Sequence, residues 1–177
     1  MVVRHALAIV LVLALGVVSS LGGTAQAGSP EKTFGGKVLM SKKKFPTYAK
    51  SASAYISALK KQSQSNFYED KETQEWKIHI AAFFKKPLND LEVTIKLYDI
   101  STGRQEFLAA FDQYLDERGQ QSVISTMRLD RATVGVNKHV LVTIENGGKV
   151  LASGKMKILG EGEHYTGKVD FSEEETE

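Results

Sequence analysis

Hydrophobic and polar positions follow three successive rhythms along this chain. The first stretch has no periodicity: after Arg4 and His5, Ala6 to Val18 is apolar except for Gly16, and small residues follow up to Ala25 and Ala27. A positive start, a short apolar run and two small residues two apart predict a secretory leader over 1–27, cleaved after Ala27. The run falls short of the roughly 20 apolar residues a spanning helix needs, and no positive cluster stops it, so no membrane span is expected in the processed chain.

The second rhythm is helical. Lys37–Met40 reads as a short strand, and beyond Phe45-Pro46 the residues Tyr48, Ala49, Ala52, Tyr55, Ile56 and Leu59 recur three or four apart. That spacing puts them on one face of a helix, with Lys50, Ser53, Ser57, Lys60 and Lys61 opposite. Pro46 suits a first turn, where its missing N–H costs nothing. One amphipathic helix is therefore predicted over Pro46–Gln62, within a basic N-terminal segment spanning 28–62. The residues just after the leader, from Gly28, are expected to fray.

The third rhythm has period two and fills 63–160. Trp76, Ile78, Ile80, Ala82 and Phe84 alternate with Lys77, His79 and Lys85, and Leu91, Val93, Ile95 and Leu97 alternate with Glu92, Thr94 and Lys96. Val123, Ser125, Met127 and Leu129 mark a further strand, Val140, Val142 and Ile144 the next, and Met156 and Ile158 the closing one. Phe107, Leu108, Phe111, Tyr114 and Leu115 also satisfy helical spacing, but strands on both sides with short connections favour a strand. Asn146-Gly147, between two alternating runs, is a strong hairpin signal. Outward Lys155 and Lys157 are the kind of charge that guards an edge strand.

Six or seven short strands with turns every 8–12 residues predict a mainly β protein: a single antiparallel sandwich with one N-terminal amphipathic helix. With its early Trp76 and late Asn-Gly hairpin, the stretch Trp76–Leu159 resembles an immunoglobulin-like domain. The resemblance is one of pattern, and the cysteine pair of antibody domains is absent.

Composition changes the picture in two ways. The chain has no cysteine among its 177 residues. An exported domain without disulfides must hold together through its core, and thiolate chemistry, cysteine zinc sites and a lipid anchor on cysteine are excluded. With no Asn-x-Ser/Thr acceptor either, a bacterial periplasmic or secreted protein is expected. The net charge of +2 also hides a polarity. Gly28–Lys61 holds eight lysines against Glu31 alone, a net of +7, whereas Glu161–Glu177 holds seven acids against Lys168, a net of −6. The first group offers an anion patch of Lys42, Lys43, Lys44, Lys50, Lys60 and Lys61. Its expected partner is an anionic envelope polymer or another envelope protein rather than nucleic acid. The second reads as an acidic, flexible tail, with Tyr165 and Phe171 set among its charges.

Candidate chemistry is sparse. His79 reads as a solvated strand histidine and His139 as a loop or edge one. His164, beside Glu161 and Glu163, lacks the fixed geometry a metal site requires. No Gly-x-Ser-x-Gly elbow, HExxH or phosphate-cradling loop is present. The pairs Glu69-Asp70 and Asp116-Glu117 read as loop surface, and Trp76, Phe107, Phe111 and Tyr114 as packing residues. No catalytic residue, metal or cofactor is expected, and the expectation is an exported, non-enzymatic interaction or structural module. Its rival is a secreted hydrolase built from sequence-distant groups, which would need His79 and His139 to meet in one pocket.

Overall fold

A computed structural model describes residues 28–160. The stretch 1–27 expected to be a leader, with Ala25 and Ala27, and the acidic segment 161–177, with His164, lie outside the described residues.

The chain runs through α1 (Pro30–Phe34), β1 (Lys37–Ser41), α2 (Ala52–Gln62), β2 (Asn66–Tyr68), β3 (Glu75–Leu88), β4 (Glu92–Asp99) and β5 (Glu106–Tyr114). It continues through β6 (Gln120–Asp130), α3 (Arg131–Val134), β7 (Lys138–Asn146) and β8 (Lys149–Leu159). The protein is mainly β, as its alternating runs predict, and β5 is a strand. The residues after Gly28 are ordered: Ser29 caps α1, its hydroxyl oxygen accepting from the Lys32 amide.

All eight strands belong to one sheet, in the order β5-β4-β7-β8-β1-β3-β6, with β2 attached to β8. Every pairing is antiparallel except those of β1 and β2 with β8. The sheet curls into a near-barrel. Its end strands β5 and β6 approach closely enough for the Ser125 hydroxyl to donate to Gln113 Oε1, and α3 packs on both. The expected sandwich needs two sheets facing each other, whereas here one sheet folds over on itself. The physical reason is the β1–β8 contact, which joins the β7–β8 and β1–β3 hairpin-like halves into one ladder. Alternation records which face of a strand is apolar, not which strands pair. For the same reason β8 is an interior strand rather than an edge, and Lys155 and Lys157 stand on its solvent face.

The inward faces build one core from Trp76, Ile78, Ile80, Val93, Leu97, Val142, Met156, Ile158 and their neighbours. The Trp76 indole is fully enclosed, and its Nε1 donates to the Leu159 carbonyl at 3.0 Å, which satisfies the one polar atom it brings inside. A second cluster lies outside the barrel, where Phe34, Phe45 and Leu59 cover Ala81 and Phe83. Hence Ile78 to Phe84 are buried without interruption, on both faces of β3. His79 faces outward as its parity predicts, yet it is buried: the face expected to be wet is roofed by the α1–α2 side.

The helix is shorter than its periodicity suggests. It begins at Ala52, because the Ser51 hydroxyl accepts from the Ala54 amide and supplies the cap. Tyr48 therefore lies before the helix and is 81% exposed instead of joining the buried stripe. Phe45 makes the anchor for this connection in its place. At the other end, Lys60 and Lys61 occupy the last turn, where positive charge complements the helix dipole. The β7–β8 hairpin turns through Gly147 and Gly148, with φ of 54° and 80°, the pair of positive values that a type I′ turn demands.

β1 and β8 meet in register only at Lys37–Ser153, then splay, and the chain after α2 fills the gap. The Gln64 amide donates to the Met40 carbonyl and the Lys157 amide to the Ser65 carbonyl, after which β2 pairs with β8. Where the two backbones come closest, a Cβ on Gly154 would collide with the Val38 carbonyl oxygen. Gly154→Ala should therefore destabilise the fold by about 1–3 kcal/mol through forced separation of β8 from β1. Urea unfolding measures this, and an unchanged midpoint would contradict the close approach.

Candidate functional site

Between the end of β1 and the end of α2 lies a surface cleft of about 510 Å³. Ser41, Lys42 and Lys43 line one wall, from the end of β1, and Ala58, Lys61, Gln62 and Gln64 line the other, from the end of α2 and the chain beyond. Three of the six lysines proposed for an anion patch, Lys42, Lys43 and Lys61, are thus brought together although nearly twenty residues separate them in sequence. The Lys42 ammonium also sits 5.1 Å from the centre of the Tyr68 ring, which is half exposed on β2. Cation–ring attraction of this kind is worth about 0.5–1 kcal/mol at an exposed site and holds the charge at the rim.

The other three lysines are placed differently. Lys44 lies near enough to His79 for its charge to act on that ring. Lys50, ahead of α2, and Lys60, in its last turn, are exposed and do not line the cleft. The patch is therefore smaller than the run of lysines suggests. Two amide atoms of its lining residues, Gln62 Oε1 and Gln64 Nε2, are buried without a hydrogen-bond partner among the described residues. An unpaired buried polar atom of this kind costs about 1–3 kcal/mol.

Elsewhere the fold pairs its buried acids, Glu69, Asp99 and Glu145, with cations. Lys96 meets Glu145 at 2.7 Å, Lys138 meets Asp99 at 2.9 Å and Arg131 meets Glu69 at 3.1 Å. At Asp99 burial pushes the carboxyl up, but hydrogen bonds from Ser101 and Lys138 outweigh it and hold it down at about 2. The hydrogen bond from Lys96 holds the Glu145 carboxyl below its usual range, against the opposing effect of burial. Glu69 is a correction to the sequence reading: its side chain is fully enclosed, while its neighbour Asp70 is exposed and caps the turn through the Glu72 and Thr73 amides. Neither Glu69 oxygen has a hydrogen bond of good geometry, so Arg131 neutralises the charge by proximity. Among the described residues, Lys42, Lys43 and Lys61 have no such acidic partner.

The histidines do not meet. His79 is on β3 and His139 opens β7, with β8 and β1 between them in the sheet. His79 Nδ1 is 2.7 Å from Thr126 Oγ1 in a hydrogen bond, and His139 is exposed, its amide donating to Ser101 Oγ. Phe107 and Tyr114 are exposed on edge strand β5 rather than packed, while Phe111 is half-buried against the core. No group of three or more His, Asp or Glu suited to a metal occurs among the described residues, nor does a helix long and apolar enough to cross a membrane. No protein-family model and no curated protein matches the chain.

Sequence reasoning found the lysines through their charge but missed Gln62, Gln64 and Tyr68, which carry no local signal for a cleft. It also missed the burial of His79. Burial, then the charges of Lys77 and Lys44, lower the pKa of this imidazole below its ordinary 6.5, so the folded state favours the neutral ring. The unfolded chain protonates first as pH falls. The contribution of His79 is fully present above about 6.5 and is lost as pH drops through the lower folded value. His79→Gln should flatten the stability–pH curve just below 6.5 while leaving the region governed by Asp99, between about 4 and 2, unchanged. Urea midpoints between pH 7 and 5 measure this, and parallel curves for the two proteins would disprove it.

Proposed function

We propose that the chain is an exported, non-enzymatic binding module, periplasmic or secreted, that holds an anionic polymer or an acidic envelope partner in the cleft between β1, α2 and β2. One observation carries the reading. In a fold that pairs its buried acids with cations, the exposed Lys42, Lys43 and Lys61 converge on one concave surface with no acid in its lining among the described residues. Keeping three like charges together is unfavourable unless a counter-charge arrives.

The leader-like start and the absence of cysteine support the exported setting. The chemistry of the cleft supports the ligand class. Lysine ammonium groups are flexible point charges with three donors each, suited to carboxylates spaced along a polymer rather than to one rigid planar anion. Tyr68 offers an apolar face beside them, and the two glutamine amides offer recognition of hydroxyl or amide groups.

Replacing Lys42, Lys43 and Lys61 together by glutamine should weaken binding of fluorescently labelled poly-L-glutamate about tenfold in low salt. This corresponds to roughly 0.5 kcal/mol per exposed charge. The native protein should lose the same increment as salt rises, because screening acts within about 10 Å at 0.1 M. All three side chains are exposed, so the urea midpoint should not move. Equal affinities for native and substituted protein would eliminate the cleft as the site.

A further inference from the structure

Resting on that reading, we infer that the cleft's first ligand is the chain's own acidic segment: residues 161–177 dock across Lys42, Lys43 and Lys61 and are displaced by a stronger anion.

The exit point of the chain is the first argument. β8 ends at Leu159, and the backbone partner of Leu159 is Tyr68, the residue whose ring carries Lys42. Leu159, two residues before the acidic segment, therefore lies one strand spacing, about 4.8 Å, from the backbone of the residue whose ring meets Lys42. Seventeen residues at about 3.3 Å each reach some 56 Å when extended, more than enough to cross a cleft of this size. Tethering so close converts binding into an intramolecular step with an effective concentration in the millimolar range, so even weak contacts would populate the docked form.

Charge is the second argument. Glu161, Glu163, Asp170, Glu173, Glu174, Glu175 and Glu177 oppose Lys168 alone, and they meet the cationic surface that lacks acids of its own. The acid nearest the exit, Glu69, is enclosed and taken up by Arg131, so it does not repel the segment. An external polymer must therefore compete with the tether, and its apparent affinity falls by the fraction of sites left open.

Two measurements test this on the chain with segment 161–177 intact. The absence of native cysteine makes Ser172→Cys a unique attachment point for a nitroxide. In low salt the amide signals of Lys42, Lys43, Lys61 and Tyr68 should broaden selectively, and recover at about 0.5 M salt, where the screening length is only a few ångströms. Broadening no stronger there than at Phe107 and Tyr114 would overturn self-docking. In the second measurement all seven acids are replaced by glutamine or asparagine. Labelled poly-L-glutamate should then bind about tenfold tighter, as expected if nine sites in ten are self-occupied, and the gain should vanish when the three lysines are also replaced. If the neutralised segment gives no gain while the lysine substitutions still weaken binding, self-docking fails and the anion site stands. If the lysine substitutions change nothing, the anion site itself fails.

Discussion

Burial of β3 on both faces is the constraint on which the rest of this structure depends. A strand on a barrel wall usually needs cover only from the inside. Here the outward side chains Ala81 and Phe83 are as apolar as the inward Ile80 and Ala82, so the outside must be covered as well. Without disulfides, that cover comes from the chain before and after β1: Phe34 from α1, Phe45 from the connection, Leu59 from α2. Each buried side chain of this size contributes roughly 1.5–3 kcal/mol, enough to hold a short helix that would not persist alone. The position of α2 follows from this packing rather than from its own propensity.

That placement has a consequence for surface chemistry. Leu59 must point at β3, and Lys61, two residues on, is then carried to the lip above the end of β1. Ser41 closes β1 in register with His79 of β3, and Lys42 and Lys43 follow it into the same wall of the cleft. The wedge of chain from Gln64 to Tyr68 repairs the broken ladder with the Met40 and Ser65 carbonyls but leaves two side-chain amide atoms without partners. The cleft therefore follows from where the packing of α2 on β3 sets the helix end against the end of β1.

Charge pairing separates structural polar groups from available ones. Glu145, Asp99 and Glu69 are buried acids, each beside a cation on a neighbouring element, and they tie β4 to β7 and the β2 region to α3. Removing one partner of such a pair strands a buried charge and costs several times the worth of an exposed pair. The lysines of the cleft are exposed, and replacing them touches no buried partner. Core stability and the charge of the cleft are thus separable in this protein, which is the condition under which a surface can be altered without cost to the core.

Strand existence and facing were legible in the chain because period-two alternation is a local consequence of the pleat. Trp76, Ile78 and Ile80 face inward as their spacing predicts, as do Val140, Val142 and Met156. The hairpin was legible from Asn146-Gly147, although Asn146 still pairs with Lys149 and the turn itself falls one residue later, on Gly147 and Gly148. The polarity between Gly28–Lys61 and Glu161–Glu177 could be counted directly. Pairing could not be seen, because the parallel β1–β8 contact joins residues more than a hundred positions apart and leaves no mark on either strand's rhythm. For that reason a sandwich was expected where one sheet curls into a barrel, and an edge where β8 is interior. The burial of His79, the enclosure of Glu69 and the choice of Lys42, Lys43 and Lys61 out of six lysines share that origin. Each depends on what another part of the chain lays over it, and local pattern carries no information about distant neighbours.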